Sequence, residues 1–260
     1  MLDGCRLCGG LTAPTFKTCV LGKYDVTYHT CVACESLQTD TPFWLGEAYA
    51  DSNLTLSDTG PALRCVNSQA VVWVAARIMG FPKAASVLDY GGGIGLLCRL
   101  LRDIGFQARV SDSYAQNMLA GSFDDDGSRP DILCSFEVAE HFSNPAADMK
   151  RLFDRQAPMM ILGTETYRGQ GSNWWYISPH SGQHIFFYSE KAMTFLSKKY
   201  GYHYTRVGSL HFFLRRPMTR LKGSLLWRAL SPRGVKWLRA YVAYNLTNDF
   251  AARDSKNLGG

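Results

Sequence analysis

Two glutamates and two histidines are the side chains in this sequence best suited to bind a metal ion or to move a proton. Glu137, Glu140 and His141 directly follow an apolar run, Ile132–Phe136, that has the composition of a buried β-strand. His184 comes later, in a segment rich in aromatic residues. Carboxylates and imidazoles bind divalent cations such as Mg²⁺ and Mn²⁺, and an imidazole alone can act as a general base. We therefore predict a catalytic site formed by these four side chains, with or without a divalent metal.

The local structure at Glu137 decides how these side chains can meet. If Glu137 begins a helical turn, Glu140 and His141 return to its face, because residues three and four positions apart are neighbours on a helix. The alternative is that Glu137 caps the helix while His141 packs beneath the substrate. For His184 the alternative is a structural histidine packed in the interior. The sequence leaves these alternatives open.

A glycine-rich turn between a predicted strand, Ser86–Tyr90, and a predicted helix has the features of a nucleotide-type binding loop. Gly91, Gly93 and Gly95 permit positive φ angles and allow a ligand to approach the backbone closely. The exposed amides at the start of the following helix attract negative charge. Asp112 ends the next predicted strand, where a carboxylate can accept hydrogen bonds from both ribose hydroxyls of a nucleoside. The sequence therefore predicts a nucleoside-containing cofactor at this turn.

Two details of this turn bear on the identity of the cofactor. A dinucleotide-binding domain, the alternative, has the spacing Gly-x-Gly-x-x-Gly, whereas this chain has Gly-x-Gly-x-Gly with Asp89 two residues before the first glycine. Both details resemble the motif of the class I S-adenosylmethionine-dependent methyltransferases, in which the acidic residue lies near the amino group of the methionine moiety. The resemblance implies that S-adenosylmethionine is the cofactor and contacts Asp89, Gly91, Gly93, Gly95, Asp112, Phe123 and Asp124. For the last two residues, a solvated acidic loop is the alternative.

The Glu-x-x-Glu-His pattern resembles a motif of the small-RNA 2′-O-methyltransferases and of the ubiquinone-pathway O-methyltransferases. In the first of these families the motif binds a divalent metal together with a later histidine. The resemblance therefore implies Glu137, Glu140, His141 and His184 as ligands of Mg²⁺ or Mn²⁺. Many relatives carry Glu-His without a metal, so a metal-free base remains the alternative.

A pair of tryptophans begins the aromatic segment that contains His184. The segment from Trp174 to Tyr188 resembles a family of class I methyltransferases associated with surface-glycan and glycosylation pathways. Trp174, Trp175 and Tyr176 could form a stacking floor for a sugar ring or a base. Three adjacent aromatic residues cannot all face one core, so we expect at least one of them to face a pocket. The resemblance implies a carbohydrate or nucleotide-sugar acceptor.

Two cysteine pairs near the N-terminus have the spacing of a zinc site. Cys5-x-x-Cys8 and Cys31-x-x-Cys34 supply four thiolates, which bind zinc tetrahedrally in a closed, structural site. A module of this size buries little core, so the metal would supply much of its folding free energy. Cys19 is a rival ligand. The module resembles one that precedes the catalytic domain in sugar C-methyltransferases, which keeps sugar C-methylation open as an alternative activity.

Strand-like and helix-like segments alternate from residue 86 to about residue 213, which is typical of a parallel sheet covered by helices. We predict an α/β fold, a Rossmann-like class I methyltransferase sheet with flanking helices, preceded by a small zinc-ribbon-like module. The predicted division is a zinc-binding module at 1–40, a helical linker or substrate lid at 41–84, the methyltransferase domain at 85–215 and a basic aromatic extension at 216–260.

Charge and hydropathy restrict the partners. The 260 residues carry a formal net charge of +6, which tolerates an anionic partner without requiring one. The apolar run Ala70–Phe81 is interrupted by Arg77 and is too short to span a membrane. No secretory signal is visible in the first ten residues, so we predict a cytoplasmic protein. The basic aromatic extension could contact an anionic membrane surface or a lipid-linked glycan, with a solvated helix face as the alternative.

These features together predict an enzyme, an O-methyltransferase that transfers a methyl group from S-adenosylmethionine to a sugar hydroxyl of a glycan or nucleotide-sugar. An RNA ribose 2′-O-methyltransferase is one alternative, and the modest net charge without a dense basic run argues against a nucleic-acid partner. A sugar C-methyltransferase is a second alternative, and a cofactor-binding scaffold without activity is a third.

Overall fold

The computed structural model describes residues 4–50 and 60–245. The strands in these residues are β1 (Thr12–Val20), β2 (Tyr24–Cys31), β3 (Leu37–Thr39), β4 (Ser86–Tyr90), β5 (Gln107–Ser111), β6 (Ile132–Phe136), β7 (Met159–Gly163), β8 (Phe186–Phe187), β9 (His203–Val207) and β10 (Leu210–Leu214). The helices are α1 (Leu45–Ala50), α2 (Pro61–Met79), α3 (Leu96–Asp103), α4 (Pro145–Asp154), α5 (Glu190–Tyr200), α6 (Arg220–Ala229) and α7 (Pro232–Asn245). Single turns of 3₁₀-helix lie at Ala139–His141 and Trp175–Ile177.

The larger sheet has six strands in the order β5-β4-β6-β7-β10-β9. Strand β4 pairs in parallel with both β5 and β6, and α3 connects β4 to β5. Strands that helices cover on both faces are near-continuous apolar runs, and every residue of β7 is buried. The predicted α/β fold, with a central sheet and flanking helices, is confirmed.

The bounds of two core strands follow closely from the sequence. The predicted strands Ser86–Tyr90 and Ile132–Phe136 have the same bounds in the structure. The long helix α2 begins at Pro61. Proline suits the first turn of a helix because it has no N–H that would lack a partner there.

A hydrophobic core lies between the six-stranded sheet and the helices around it. Val72 and Ala75 of α2, Leu101 of α3, Phe212 of β10 and Leu226 of α6 are all completely buried in this core. Burial of large apolar side chains contributes roughly 1.5–3 kcal/mol each. The core therefore fixes the end of β4, from which the glycine-rich turn leaves the sheet.

The smaller sheet has four strands in the order β1-β2-β3-β8. Strand β3 pairs antiparallel with β8, so that Leu37 lies opposite Phe187 and Gln38 lies opposite Phe186. Strand β8 belongs to the segment that carries His184. The N-terminal strands and the segment of this candidate catalytic histidine therefore form a single sheet, which the sequence did not indicate.

The chain divides into two compact units. The first contains the described residues of Met1–Thr59 with Glu137–Asp154 and Gly163–Tyr204, and the second contains the remaining described residues. Parts of the predicted methyltransferase segment thus cluster with the N-terminal module. The predicted division at residues 40, 84 and 215 stays a prediction, and the part of the predicted lid at 51–59 and the end of the extension at 246–260 lie outside the described residues.

None of the helices in the described parts of the chain is long and apolar enough to cross a membrane.

Candidate functional site

The turn after β4 has a backbone geometry that favours glycine. Gly91, Gly93 and Gly95 have φ angles of 74°, 58° and 87°. This left-handed region costs other L-residues roughly 1–2 kcal/mol each. The N–H of Gly91 donates a hydrogen bond of 2.7 Å to the carbonyl of Ser111 in β5. The turn is therefore held in a fixed conformation beside the end of β5.

Gly92 is the glycine of this turn that the sequence analysis missed. A Cβ atom at this position would lie 2.3 Å from Oδ2 of Asp89 and 2.7 Å from Cγ2 of Val110. These separations are too short for any side chain, so Gly92 is required for its lack of volume. The sequence does contain a signal for this glycine, the uninterrupted run Gly91-Gly92-Gly93. A motif defined by alternating glycines leaves the middle glycine out.

Asp89 is a buried carboxylate with one oxygen atom that lacks a partner. The residue is 2% exposed, and among the described residues its Oδ2 atom has no hydrogen-bond partner. Burial, with a smaller contribution from the charge of Asp112, raises the pKa of Asp89 to about 7. A buried acceptor without a donor costs free energy, and the ammonium group of S-adenosylmethionine would supply that donor. The residues around the turn therefore fit the amino end of this cofactor.

Asp112 holds the same turn through its carboxylate. Its Oδ2 atom accepts a hydrogen bond of 2.9 Å from the N–H of Gly93. Its Oδ1 atom accepts bonds of 2.8 Å from the N–H groups of Tyr114 and Ala115. Each carboxylate oxygen can accept two hydrogen bonds, so Oδ2 keeps the capacity to accept a ribose hydroxyl.

Phe123 and Asp124 lie beside β5. The guanidinium of Arg102 stands over the ring of Phe123, 3.2 Å from its centroid. Asp124 is exposed, forms an isolated parallel bridge with Val110, and accepts a hydrogen bond of 3.1 Å from Nδ2 of Asn117. The two residues are thus fixed next to the strand that leads to Asp112. Their contact with adenine stays a prediction.

Glu140, His141 and His184 lie together, with ligand atoms within 4.8 Å of one another. Nδ1 of His141 lies 3.1 Å from the carbonyl of Gln183, and Nδ1 of His184 lies 2.6 Å from the carbonyl of Tyr176. Because a carbonyl oxygen only accepts, the Nδ1 atom of each ring is the donor in these contacts. Metal-binding histidines are usually oriented by such a bond from their second nitrogen.

Glu140 completes this cluster from the interior. The residue is completely buried, and its Oε1 atom accepts a hydrogen bond of 2.6 Å from the hydroxyl of Tyr176. Its Oε2 atom has no partner among the described residues. Burial lowers the pKa of His141, and the charge of Glu140 opposes this only partly, so a neutral imidazole is favoured. An unpartnered carboxylate oxygen beside two imidazole rings is a donor set that fits a divalent cation.

The structure does not bring Glu137 into this cluster of ligand atoms. Glu137 has a φ angle of 56°, and its N–H donates a hydrogen bond of 2.8 Å to the carbonyl of Gly163. The 3₁₀ turn begins only at Ala139. The helical turn from Glu137 that would align it with Glu140 and His141 is therefore not formed, because the backbone of Glu137 is left-handed rather than helical.

The three adjacent aromatic residues have different environments. Trp175 is 72% exposed, so its ring is accessible to a ligand. Trp174 is partly buried against Phe187, with ring centroids 5.5 Å apart. Tyr176 is 1% exposed. In this structure Tyr176 orients Glu140 through its hydroxyl, and Trp175 is the residue of the three that presents a ring to solvent.

The peptide group of Ile185 connects the N-terminal module to the Glu140 cluster. Its N–H donates a hydrogen bond of 2.9 Å to the carbonyl of Glu140, and its carbonyl accepts one of 3.1 Å from the N–H of Thr39 in β3. Arg6, between the cysteines of the first pair, donates to the same carbonyl through Nη2 at 2.6 Å. Ile185, the residue after His184, is therefore held by Glu140 on one side and by Thr39 and Arg6 on the other. This role of Arg6 was not predicted from the sequence.

The four cysteines of the two N-terminal pairs converge, with sulfur atoms within 4.8 Å of one another. The sulfurs of Cys5 and Cys34 are 3.6 Å apart, and those of Cys8 and Cys31 are 3.5 Å apart. Zinc–sulfur bonds of about 2.3 Å in a tetrahedron place the sulfurs about 3.8 Å apart, close to these distances. Cys19 is exposed on β1 and lies outside the cluster.

Comparisons with known proteins bear on the larger sheet. A family model described as "Methyltransferase domain" matches residues 68–207, more than half of the chain. No curated protein matches the chain. Among solved structures, magnesium protoporphyrin IX methyltransferase from Synechocystis is 16% identical with a TM-score of 0.44, and the match covers 65% of this chain and 90% of that one.

Two further solved structures are similar. The 1,6-didemethyltoxoflavin-N1-methyltransferase of Burkholderia thailandensis is 15% identical with a TM-score of 0.43, and the match covers 65% of this chain and 82% of that one. Phosphoethanolamine N-methyltransferase 2 of Haemonchus contortus is 16% identical with a TM-score of 0.38. That match covers 73% of this chain and 48% of the Haemonchus protein, so this chain spans about half of its length.

Proposed function

The chain belongs to the methyltransferase-domain family and is an S-adenosylmethionine-dependent enzyme; on that basis we propose that it methylates a hydroxyl oxygen of a sugar, in a glycan or a nucleotide-sugar. The observation that supports this acceptor chemistry is the cluster of Glu140, His141 and His184. A neutral sugar hydroxyl is a poor nucleophile, and it attacks more readily when a neighbouring group takes its proton. The exposed ring of Trp175 offers a stacking surface for the sugar.

The glycine-rich turn and the carboxylates beside it would hold the methyl donor in place. S-adenosylmethionine supplies an electrophilic methyl group on a sulfonium centre. The Asp89 carboxylate would bind its amino group, and the Asp112 carboxylate would bind its ribose hydroxyls. Alignment of the acceptor oxygen with the methyl carbon and the sulfur can contribute several kcal/mol, roughly 7–11 in well-oriented reactions.

The cluster of Glu140, His141 and His184 would remove the proton from the acceptor hydroxyl. A divalent cation, if bound by these residues, would lower the pKa of the acceptor hydroxyl. The atoms that would hold the cation are Oε2 of Glu140 and Nε2 of His141 and His184. Without a cation, Nε2 of His184 accepts the hydroxyl proton directly, because its Nδ1–H is already fixed on the carbonyl of Tyr176. In both versions the reaction depends on His184.

The cysteine cluster is proposed to hold a structural zinc ion. Four thiolates close the coordination sphere, so this site would have no open position for chemistry. Its effect on catalysis would be indirect, because Arg6 and β3 hold the peptide group that follows His184. We assign to the zinc module the role of positioning His184, and this assignment rests on the proposed function.

The acceptor is tested by the transfer of labelled methyl groups from S-adenosylmethionine to nucleotide-sugars, glycan oligomers and small RNAs. Each reaction is run with and without EDTA, and then with Mg²⁺ or Mn²⁺ restored. We expect transfer to an oxygen of a sugar compound, with EDTA inhibiting and a divalent cation restoring the rate. Transfer to RNA alone, or to a carbon atom of the sugar, would refute the proposed acceptor chemistry. Sugar transfer that EDTA leaves unchanged would identify His184 as a metal-free base.

Tyr176→Phe should lower the rate of methyl transfer by about 10–100-fold, the usual cost of removing a residue that orients a ligand. The change removes the hydrogen bond from the tyrosine hydroxyl to Oε1 of Glu140. Glu140 would then lose the side-chain donor that fixes the orientation of its carboxylate. Steady-state kcat and the affinity for Mn²⁺ are the quantities to measure.

Tyr188→Phe is the matched control for Tyr176→Phe. Tyr188 is also completely buried, but its hydroxyl has no hydrogen-bond partner among the described residues. Removing that hydroxyl should leave the rate within about a factor of two, since no bond is lost. Equal losses in the two variants would mean that the hydroxyls act through packing alone, and the orienting role of Tyr176 would be wrong.

The affinity for S-adenosylmethionine should fall below pH 7 by about tenfold per pH unit. Burial raises the pKa of Asp89 to about 7 in the free protein, and only the carboxylate form can bind the ammonium group. The affinity for S-adenosylmethionine therefore reaches its maximum above pH 7. It falls below pH 7, where the carboxyl group of Asp89 takes up a proton. Isothermal titration calorimetry over pH 5–8 measures this dependence.

Asp89→Asn should bind the cofactor about 10–100-fold more weakly at pH 8, and the slope between pH 5 and pH 7 should vanish. Asp126→Asn, which changes an exposed carboxylate paired with Arg109, should keep the wild-type slope. A wild-type affinity that stays constant between pH 5 and pH 8 would show that Asp89 is ionised throughout and is not the group that titrates.

A further inference from the structure

The segment from residue 215 to residue 245 is strongly and uniformly basic. It contains no aspartate or glutamate. Its eight basic residues are Arg215, Arg216, Arg220, Lys222, Arg228, Arg233, Lys236 and Arg239. This local charge exceeds the net charge of +6 of the whole chain, so the remainder of the chain is slightly acidic. The positive field of the protein is therefore concentrated on α6, α7 and the segment that leads into them.

Helices α6 and α7 are both amphipathic, and one apolar side of each helix is buried in the protein core. Leu226 and Leu230 at α6, and Leu238 and Val242 of α7, pack in the core of the second unit. The sequence of α7 places the second pair four positions apart, on one face of the helix. The opposite faces of the two helices are consequently the ones available to a partner.

These outward faces carry large apolar side chains among the basic ones. The exposed apolar residues are Leu221 (71%), Leu225 (48%), Trp227 (64%), Trp237 (66%) and Tyr244 (92%). Single exposed apolar residues are normal on a protein surface, but five on two consecutive helices form a set. Tryptophan and tyrosine side chains combine an apolar ring with a polar group, which suits the boundary between lipid headgroups and acyl chains.

We propose that α6 and α7 form a docking surface for an anionic lipid bilayer. The basic side chains complement the negative headgroups, while the leucine and tryptophan side chains enter the boundary with the acyl chains. RNA shares the charge complementarity but not the apolar contacts, since leucine side chains offer no surface on which bases stack. The ring of Trp237 also stacks on Tyr241, with centroids 5.6 Å apart and planes at 15°, which covers one of its faces.

The binding test uses the full-length protein and vesicles of two compositions. In a flotation assay we expect the protein to float with vesicles of phosphatidylcholine mixed with phosphatidylglycerol, and not with phosphatidylcholine alone. Binding should weaken strongly in 1 M salt, where the Debye length falls to about 3 Å. A single-stranded RNA oligonucleotide is titrated in parallel. Retention of RNA without flotation, or flotation that ignores lipid charge, would refute the proposal.

Two variants and one control locate the surface. The variant R228Q/R233Q/K236Q should bind anionic vesicles at least tenfold more weakly, while K17Q/K198Q/K199Q, which removes the same charge from exposed lysines elsewhere, should bind normally. The variant W227F/W237F should lose the blue shift of tryptophan fluorescence that anionic vesicles cause. Equal weakening in the control would mean that only the overall charge matters and would overturn the assignment to α6 and α7. Methyl transfer is not needed as a readout, so this test is independent of the proposed function.

Discussion

Replacing His184 with alanine should lower the rate of methyl transfer by about 10²–10⁴-fold, the range over which a positioned general base contributes. Nε2 of this ring is the atom to which the proposed mechanism assigns the proton of the acceptor hydroxyl, or the cation, whereas His141 serves only as a second ligand. His141 keeps its own Nδ1–H on the carbonyl of Gln183. The affinity for S-adenosylmethionine should remain unchanged, because the glycine-rich turn is built from other residues. Single-turnover rates and calorimetric cofactor binding measure the two quantities.

His180→Ala is the matched control for His184→Ala. His180 lies only four residues earlier, is exposed, and makes one contact of 3.4 Å to the hydroxyl of Ser178. Its replacement should leave the rate unchanged. If His184→Ala also retained the rate within about threefold, His184 would be neither the base nor a metal ligand, and the proposed proton transfer would be wrong.

Added imidazole separates the two versions of the mechanism in the His184→Ala variant. Imidazole in solution can replace a missing base, so partial recovery of the rate without any metal would identify a direct base. Recovery that needs both imidazole and Mn²⁺ would identify His184 as a ligand. Direct binding of Mn²⁺ to the wild-type protein, followed by electron paramagnetic resonance, provides a readout besides activity. Loss of that signal in His184→Ala alone would assign the ligand.

The elements of the larger sheet were predictable because their patterns are local. Strands β4, β6 and β7 are mostly apolar runs of five residues, each followed by a glycine or a polar residue. Each is buried by helices, so hydrophobicity and turn residues determine its bounds without reference to distant parts of the chain. The glycine-rich turn was predictable for the same reason, since left-handed backbone is largely restricted to glycine.

The features that were not predictable depend on contacts between distant segments. Strand β8 is only two residues long, which is too short for any periodicity, and it exists because β3 pairs with it. Glu137 adopts left-handed backbone although it is not a glycine, because its N–H bonds to the carbonyl of Gly163. The link from Arg6 to Ile185 spans most of the chain. No window of sequence contains the information for such contacts.

Replacing Cys34 with serine should abolish zinc binding and unfold the module built on β1, β2 and β3. A structural zinc ion contributes about 10–16 kcal/mol of binding free energy in small zinc peptides, which matches or exceeds the total stability of a typical domain. Cys34 is buried, and its N–H also donates to the sulfur of Cys31, so its loss removes one ligand and disturbs another. Metal analysis should give one zinc ion per wild-type chain and none in the variant.

The effect of this substitution should extend to the Glu140 cluster. Thr39 and Arg6 hold the carbonyl of Ile185, and the N–H of Ile185 is bonded to Glu140, so loss of the module should speed hydrogen exchange at the Ile185 amide. Strand β4 should keep its protection, since it belongs to the other core. Exchange at Ile185 that stays at the wild-type rate, in a variant shown to lack zinc, would refute the positioning role of the module.

Cys19→Ser separates the two possible ligand sets. Cys19 lies on β1 in the same module, but it is exposed and outside the group of converging sulfurs. The serine variant should therefore retain one zinc ion, the wild-type exchange rate at Ile185 and the wild-type methyl transfer rate. Both substitutions replace one thiol in the same module, Cys19 on β1 and Cys34 in the turn after β2, so a loss of zinc confined to Cys34→Ser would be attributed to metal ligation. A zinc-free Cys19→Ser variant would mean that Cys19 is a ligand and that one of the four converging cysteines is not.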